Sequence, residues 1–355
     1  MKKVFLLTLA AIGLVAAGCS KNGFSDGDGG NDPKNGAISV TIKGENASSR
    51  AIGDISEDEE KAVKSFTVYV FNNSTGVLEK SQNFTGVLSG KITGLGVASQ
   101  KKVVVFANEP EDYPAIGKYS DLNAAANMIA LDSQVPGDFS AKGLFMSGES
   151  AGAVTLKTDE TVTVPVTVKR LTAKVRLGSL TVTPEAGLSI SDFALAGVSI
   201  QKARDKAAPT GILATEGVGY VGGLSGDGAV SKSYLHEYVQ LPFDYMSGTP
   251  FGPKTYFYVL PNDDTNGQAT IMSVYGQYKG TPMYYSFVIN GEPGQGAKAA
   301  DGTFIQRNKV YTLNITLRKI GSGGEDPNVP NEEAEMTVTV DVAPWEDELI
   351  QDVEW

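Results

Sequence analysis

The sequence predicts an all-β chain built as two tandem sandwich-like domains, and three observations carry that prediction. Short runs rich in Val, Thr, Tyr and Phe alternate between apolar and polar residues along most of the chain, which is the period of a half-buried strand. The 41 Gly and 16 Pro residues punctuate these runs with turn signals. At 355 residues with 41% hydrophobic and 20% charged side chains, the chain is long enough for two cores and has an ordinary globular composition. No fixed short period recurs, so a solenoid or propeller is not supported.

The amino terminus is an address. Lys2 and Lys3 form a positive region, residues 4–15 an apolar one, and Ala16, Ala17 and Gly18 offer small side chains at a cleavage point just before Cys19. This is the pattern of a bacterial lipoprotein signal over residues 1–18, with Cys19 as the lipidated first residue of the exported protein. An ordinary secretory peptide is the alternative, and the apolar run is short for a spanning helix, which needs about 20 residues. Cys19 is the only cysteine, so no intramolecular disulfide forms and the core must be held by packing.

Residues 37–43 (AISVTIK) alternate strictly and place Ile38, Val40 and Ile42 on one face. A basic site, Ser49-Arg50-Ala51, follows and has the look of a cleavage point. Residues 56–59 (SEDE) have capping-box spacing for a short helix. Strands are expected at 65–71, 102–107, 143–148, 161–168 and 171–177, and a longer helix at 121–131. Pro165 cannot donate to a ladder, so the 161–168 strand is expected at an edge or a bulge. The domain boundary falls near Lys169 and Arg170, which gives domains at 51–169 and 170–320 after a 19–50 propeptide. Further strands are expected at 255–260, 269–278, 283–289 and 310–317.

Beyond the linker at 321–330 (GSGGEDPNVP), residues 336–342 (MTVTVDV) repeat the alternation of residues 37–43, with Met336, Val338, Val340 and Val342 on one face. Residues 325–355 hold eleven acidic side chains and no Lys or Arg. The formal net charge is −11, so this tail carries the whole imbalance. A solvated acidic tail explains the charge alone but not an alternating strand or both tryptophans, Trp345 and Trp355, which favour burial. A strand that can be cut away and a tethered strand of the same pattern are the parts of a polymer built by strand exchange, because an inserted strand satisfies exposed backbone groups and apolar floor together.

Other motifs carry little. Residues 217–222 (GVGYVG) match a dinucleotide-binding pattern without the flanking strand and helix, residues 86–91 fall short of a phosphate loop, and residues 26–32 lack the terminal Glu of a calcium loop. His236 is the only histidine, so a multi-histidine metal site is excluded. No cofactor, metal or catalytic residue is expected. The acidic balance disfavours nucleic acid. Tyr275, Tyr278, Tyr284 and Tyr285 offer stacking platforms for a glycan-binding surface lipoprotein, the leading non-assembly alternative, although strand pairing also accounts for them.

The signal around Cys19, Ser49-Arg50-Ala51, residues 68–72 (VYVFN) with Gly76, residues 105–108 (VFAN), 146–148 (MSG), 170–175 (RLTAKV) and 311–315 (YTLNI) together resemble the fimbrillins of Bacteroidales, over nearly the whole chain. The resemblance implies a FimA-like or Mfa-like pilin of the type V pilus, non-enzymatic, with two transthyretin-like β-sandwich domains and a C-terminal donor strand in residues 321–355. It implies export as an outer-membrane lipoprotein anchored by its acyl chains, then cleavage between Arg50 and Ala51 by an arginine-specific protease. That cut releases the strand of Ile38, Val40 and Ile42. A neighbouring identical or related pilin then supplies Met336, Val338, Val340, Val342 and Trp345, which builds a cell-surface fimbrium for adhesion or colonisation. Possession of both Arg50 and the tail favours a shaft subunit over an anchor or accessory one. One departure is that Ser20, Lys21 and Asn22 are not the acidic cluster associated with surface export.

Overall fold

The computed structural model describes residues 35–44, 60–131, 143–213, 217–221, 239–240, 256–263, 267–291, 304–321 and 336–344. Its strands are β1 (Gly36–Gly44), β2 (Ser65–Asn72), β3 (Leu78–Thr85), β4 (Ser89–Leu95), β5 (Lys101–Ala107), β6 (Ile129–Ala130), β7 (Met146–Glu149), β8 (Thr161–Arg170), β9 (Ala173–Val182) and β10 (Phe193–Gln201). They continue as β11 (Ala203–Arg204), β12 (Lys206–Ala207), β13 (Tyr220–Val221), β14 (Val239–Gln240), β15 (Tyr256–Val259), β16 (Ile271–Tyr278), β17 (Thr281–Val288), β18 (Lys309–Leu317) and β19 (Met336–Pro344). The fold is all-β.

The first half is one seven-stranded sheet in the order β3-β2-β5-β7-β8-β1-β4. It curls on itself: a Cβ placed on Gly90 of β4 would lie 2.4 Å from the Phe84 ring of β3. Phe84 in turn stacks on Phe66, ring centroids 4.9 Å apart. Alternation explains the core inside this curl, since every second residue of β8 from Val164 onward is buried and Val164, Val166 and Val168 join Ile38, Val40, Ile42, Phe66, Val68 and Val105 in one cluster. β7 pairs with β8 only at Lys169 and Arg170. Beside Pro165 the ladder therefore runs on the β1 side alone, the edge-like setting that a residue without an N–H requires.

In the second half the sheets β15-β9-β18-β19 and β14-β10-β16-β17 enclose Val175, Leu177, Leu313 and Ile315 against Val198, Met272, Tyr285 and Phe287. This is a β-sandwich. The larger core does not stop at the boundary between halves. It continues through Leu171, Phe145 and Leu131 to Phe106 and Phe71 on the outer face of β2 and β5, while β6 pairs with β12.

The expected helix at 121–131 is absent. Two 3-10 turns, Tyr119–Asn123 and Ala125–Asn127, stand there, followed by β6. The helical ladder is replaced by local bonds: the Asp121 carboxylate accepts from the backbone N–H groups of Gly117 and Lys118, and Asn127 Nδ2 donates to the Asp121 carbonyl at 2.6 Å. Tertiary pairing of Ile129 and Ala130 with β12 then requires an extended end. The expected 143–148 strand begins later, at Met146. Glu60 and Lys61 are helical, while the capping positions 56–59 lie outside the described residues.

Only Leu171 and Thr172 separate β8 from β9, and a polar clasp holds this joint. Arg307 Nε donates to the Arg170 carbonyl (3.0 Å), and Nη1 donates to Ser147 Oγ (3.0 Å) and the Thr210 carbonyl (2.8 Å). Nη2 donates to the carbonyls of Ser147 (3.1 Å) and Lys169. Gly211, at φ +80°, lies against it so closely that a Cβ would meet Arg307 Cδ at 2.3 Å, so only glycine fits both the backbone and the space.

Arg307→Ala removes the guanidinium that gathers carbonyls from both halves, and we expect a loss of about 2–4 kcal/mol of stability, since bonds to charged donors contribute roughly 1.5–3 kcal/mol each and some carbonyls regain water. Arg307→Lys should restore little of this, because an ammonium lacks the planar fork. Urea denaturation followed by fluorescence checks both. Equal midpoints for Arg307→Ala and the parent would show that the clasp contributes nothing net.

Candidate functional site

The two look-alike strands occupy different kinds of position. β1 lies inside its sheet with a partner on each flank. It runs antiparallel to β4, with Ile38 opposite Ile92 and Val40 opposite Gly90, and parallel to β8, from Ala37 opposite Thr161 to Gly44 opposite Val168. Ile38 and Val40 are fully buried and Ile42 is 4% exposed. Their burial contributes on the order of 5–9 kcal/mol before ordering costs, at about 1.5–3 kcal/mol each. Ser39 and Thr41, on the opposite parity, are half-buried, and Lys43 is exposed. Gly36 continues the inward parity at a point of contact: a Cβ there would come 2.9 Å from Leu156 Cδ1 and 3.0 Å from the Leu95 carbonyl oxygen.

β19 pairs antiparallel with β18 over nine positions, from Leu317 opposite Met336 to Lys309 opposite Pro344. Val338 stands opposite Ile315, Val340 opposite Leu313 and Val342 opposite Tyr311. It is the outer strand of its sheet, with one partner among the described residues. The tail strand is thus seated on its own chain. Cys19, Arg50, Ala51 and Trp345 lie outside the described residues, so the geometry places Ile38, Val40 and Ile42 in a slot and Met336, Val338, Val340 and Val342 on an edge, and does not bring the two groups together.

Sequence reading named the strand in the slot but not the slot. Its walls are β4, absent from the expected strands because residues 89–95 (SGKITGL) are glycine-rich and polar, and β8, whose alternation marked a strand without marking a neighbour. β1 and β8 are far apart in sequence, and a parallel pairing of that kind leaves no local pattern. Residues 217–221 and 86–91 resolve into loop and sheet structure, while residues 26–32 and His236 lie outside the described residues. Gly219 N–H donates to Asp205 Oδ1 at 2.7 Å and leads into β13. Tyr275 and Tyr284 face each other across β16 and β17 with ring centroids 5.2 Å apart, and Tyr285 is buried. Among the described residues no three His, Cys, Asp or Glu side chains converge as a metal site would require.

Two family models match the sequence: Major fimbrial subunit protein (FimA) over residues 36–202, and the C-terminal Fimbrillin model of the type IV major fimbrial subunit protein over residues 276–349. Both describe fimbrial subunits, and the first begins at β1. The chain belongs to the fimbrillin family, a family of structural subunits of fimbriae rather than of enzymes. Curated proteins give no significant match. Among solved structures, a candidate cell adhesion protein from Bacteroides eggerthii is 19% identical with a TM-score of 0.63, covering 88% of this chain and 97% of that one. A fimbrilin (FimA) from Porphyromonas gingivalis W83 is 20% identical with a TM-score of 0.58, covering 88% and 98%. The tip fimbrial protein Mfa3 from Porphyromonas gingivalis, solved with a C-terminal truncation, is 14% identical with a TM-score of 0.51, covering 87% and 99%. At these identities the likeness is one of fold.

The slot geometry sets an energetic expectation for the intact chain. Ile38→Ala should cost roughly 2–5 kcal/mol, the range for truncating a fully buried side chain, whereas Ser39→Ala on the same strand should stay within about 0.5 kcal/mol. Chemical denaturation of the uncut protein measures both, and equal effects would contradict the inward assignment of Ile38.

Proposed function

We propose that this protein is a structural shaft subunit of a fimbria, exported as a lipoprotein through Cys19, cut between Arg50 and Ala51 by an arginine-specific protease, and polymerised by strand exchange for adhesion or colonisation. The observation that carries the reading is the position of β1: first in sequence of the described strands, yet interior in its sheet with ladders on both flanks. A single cut after it frees the strand without severing any other connection of the fold. Its departure would leave two unpaired edges and an apolar floor, which an extended segment of alternating pattern can fill. In this reading Met336, Val338, Val340 and Val342, with Trp345 beyond them, supply that segment to a neighbouring identical or related pilin.

While β1 is attached, it competes as an intramolecular strand and a foreign donor cannot match its effective concentration. Proteolysis at Arg50 removes this advantage and so gates assembly. The donor also has something to gain, because β19 exchanges a ladder on β18, its one partner among the described residues, for a slot with two flanks. The acidic tail repels its own kind and discourages tail-to-tail pairing. Before processing the subunit sits in the outer membrane by its lipid, and after it in the cell-surface fimbrium. No cofactor or nucleic acid enters this scheme.

The gating test uses electron microscopy before and after treatment with an arginine-specific protease. Arg50→Ala should remain a folded monomer that forms no filaments, and long filaments that still carry residues 37–43 would overturn the mechanism. The donor test compares two charges in one strand. Val340→Lys should abolish protease-triggered assembly, because an unpaired ammonium in the slot is costly, while Thr339→Lys on the opposite parity should only slow it. Equal filament yields would remove the donor assignment.

A further inference from the structure

We infer that Glu60 is the anchor at which the permanent body of the subunit begins, fastening the chain that follows the Arg50 segment to the carboxy-terminal half so that β1 can leave without loosening what comes after it. The inference rests on the cleavage reading proposed above and concerns a residue that reading does not use. Glu60 is 2% exposed, sixteen positions after the end of β1 at Gly44 and ten after Arg50. Its Oε1 accepts from Lys174 Nζ at 2.7 Å and from the Tyr258 hydroxyl. Its carbonyl accepts from Arg170 Nε at 3.1 Å. These three partners belong to β9, β15 and the end of β8. Lys174 Nζ also lies 4.2 Å from the centre of the Tyr256 ring.

A second staple follows within a few residues. Asn108 Oδ1 accepts from Lys64 N–H at 2.8 Å, while its Nδ2 donates to the carbonyls of Ala62 (2.8 Å) and Leu144 (2.7 Å). Residues 60–64 are therefore tied at both ends before β2 starts at Ser65. What these ties hold matters because Val63 packs against the same cluster that Ile38, Val40 and Ile42 fill. When β1 goes, the cluster against which Val63 packs loses Ile38, Val40 and Ile42, so the start of β2 depends more on its polar ties. The Glu60 contacts draw nothing from β1, since every partner named lies on β8, β9 or β15. Burial, then the Glu60 carboxylate, raises the Tyr258 pKa, so the phenol keeps the proton that it donates. β2 pairs directly with β5, next in order to β7 and β8, so a frayed start of β2 would spread toward the wall of the slot that must receive the incoming strand.

Hydrogen exchange read by mass spectrometry tests the anchor on the full chain, uncut and after the arginine-specific protease, in the parent, Glu60→Gln and the Glu60→Gln/Lys174→Met double variant. Before cutting, peptides spanning residues 60–72 should exchange alike in the parent and Glu60→Gln. After cutting, the parent should keep its protection while Glu60→Gln exchanges about tenfold faster or more in these peptides, the signature of a local opening. The double variant, which leaves no lone buried charge, should still lose protection in the cut form, because the tether and not the charge balance is what matters. Unchanged protection in cut Glu60→Gln overturns the anchor. If Arg50 resists the protease, the cleavage reading fails separately, and the anchor is then tested in uncut Ile38→Ala, where β1 is loosened and Glu60→Gln must give the same selective exposure. Should Glu60→Gln not fold, Tyr258→Phe removes one of the two donors to the carboxylate and must show the same localised effect to sustain the inference.

Discussion

Backbone pairing on both sides of β1 is the constraint on which the first half of the molecule depends. An interior strand satisfies the N–H and C=O groups of two neighbours as well as its own, and in this sheet those neighbours, β4 and β8, do not pair with each other. Interior strands are usually interior in sequence too, so that removing one would break the chain twice. β1 is an exception because it precedes every other described strand. It therefore combines the greatest structural consequence with the fewest covalent ties, and its parallel alignment with β8 means that no tight hairpin binds it to that wall.

The same wall connects the slot to the rest of the molecule. β8 passes through Leu171 and Thr172 into β9, β9 pairs in parallel with β18, and β18 seats β19. Slot and tail strand thus lie along one run of paired backbone, which shifts register between Leu313 and Asn314 of β18 and turns from one sheet into the next at the joint that Arg307 clasps. Asn308 adds two further bonds there: its Oδ1 accepts from the Arg170 N–H at 3.3 Å and its own N–H donates to the Thr172 carbonyl at 2.9 Å. A polar joint suits this place. Directional bonds to main-chain carbonyls fix the angle between the halves in a way that an apolar contact of equal strength would not.

How much of this was legible in the sequence follows from where each residue finds its partners. β1, β2, β8, β9 and β16 to β19 announce themselves by alternation and β5 by a continuous apolar run, both local properties, and the pattern shared by residues 37–43 and 336–342 points to the two strands that matter most. β3 escaped notice since residues 78–85 (LEKSQNFT) form a polar outer strand, and β10 since a bulge between Leu195 and Gly197 interrupts its period. The 121–131 helix was expected from local composition and was overridden by pairing with β12. Glu60 and Arg307 leave no sequence signal, and Asn108 stands in the VFAN motif without any sign of what it holds. Each is an ordinary polar residue whose partners include groups 36 to 198 positions away, and distance in sequence erases the pattern that a local cap or hairpin would show.

The contrast between the two strand positions gives the proposed exchange its direction. In its own chain β19 has one ladder, on β18, and no second flank among the described residues. A vacated slot would offer two ladders together with the floor of Phe66, Val68, Val105 and Val166 against which Ile38, Val40 and Ile42 now pack. Moving β19 there costs the nine pairings to β18 and the freedom of the linker, and the second ladder and enclosed apolar face must exceed that cost. The proposed exchange requires that this balance be unfavourable while β1 occupies the slot and favourable once it has gone. In the proposed scheme a tail strand paired only with β18 among the described residues would be bound less fully than in a slot vacated by the β1 of a neighbouring subunit, and that difference would draw it across.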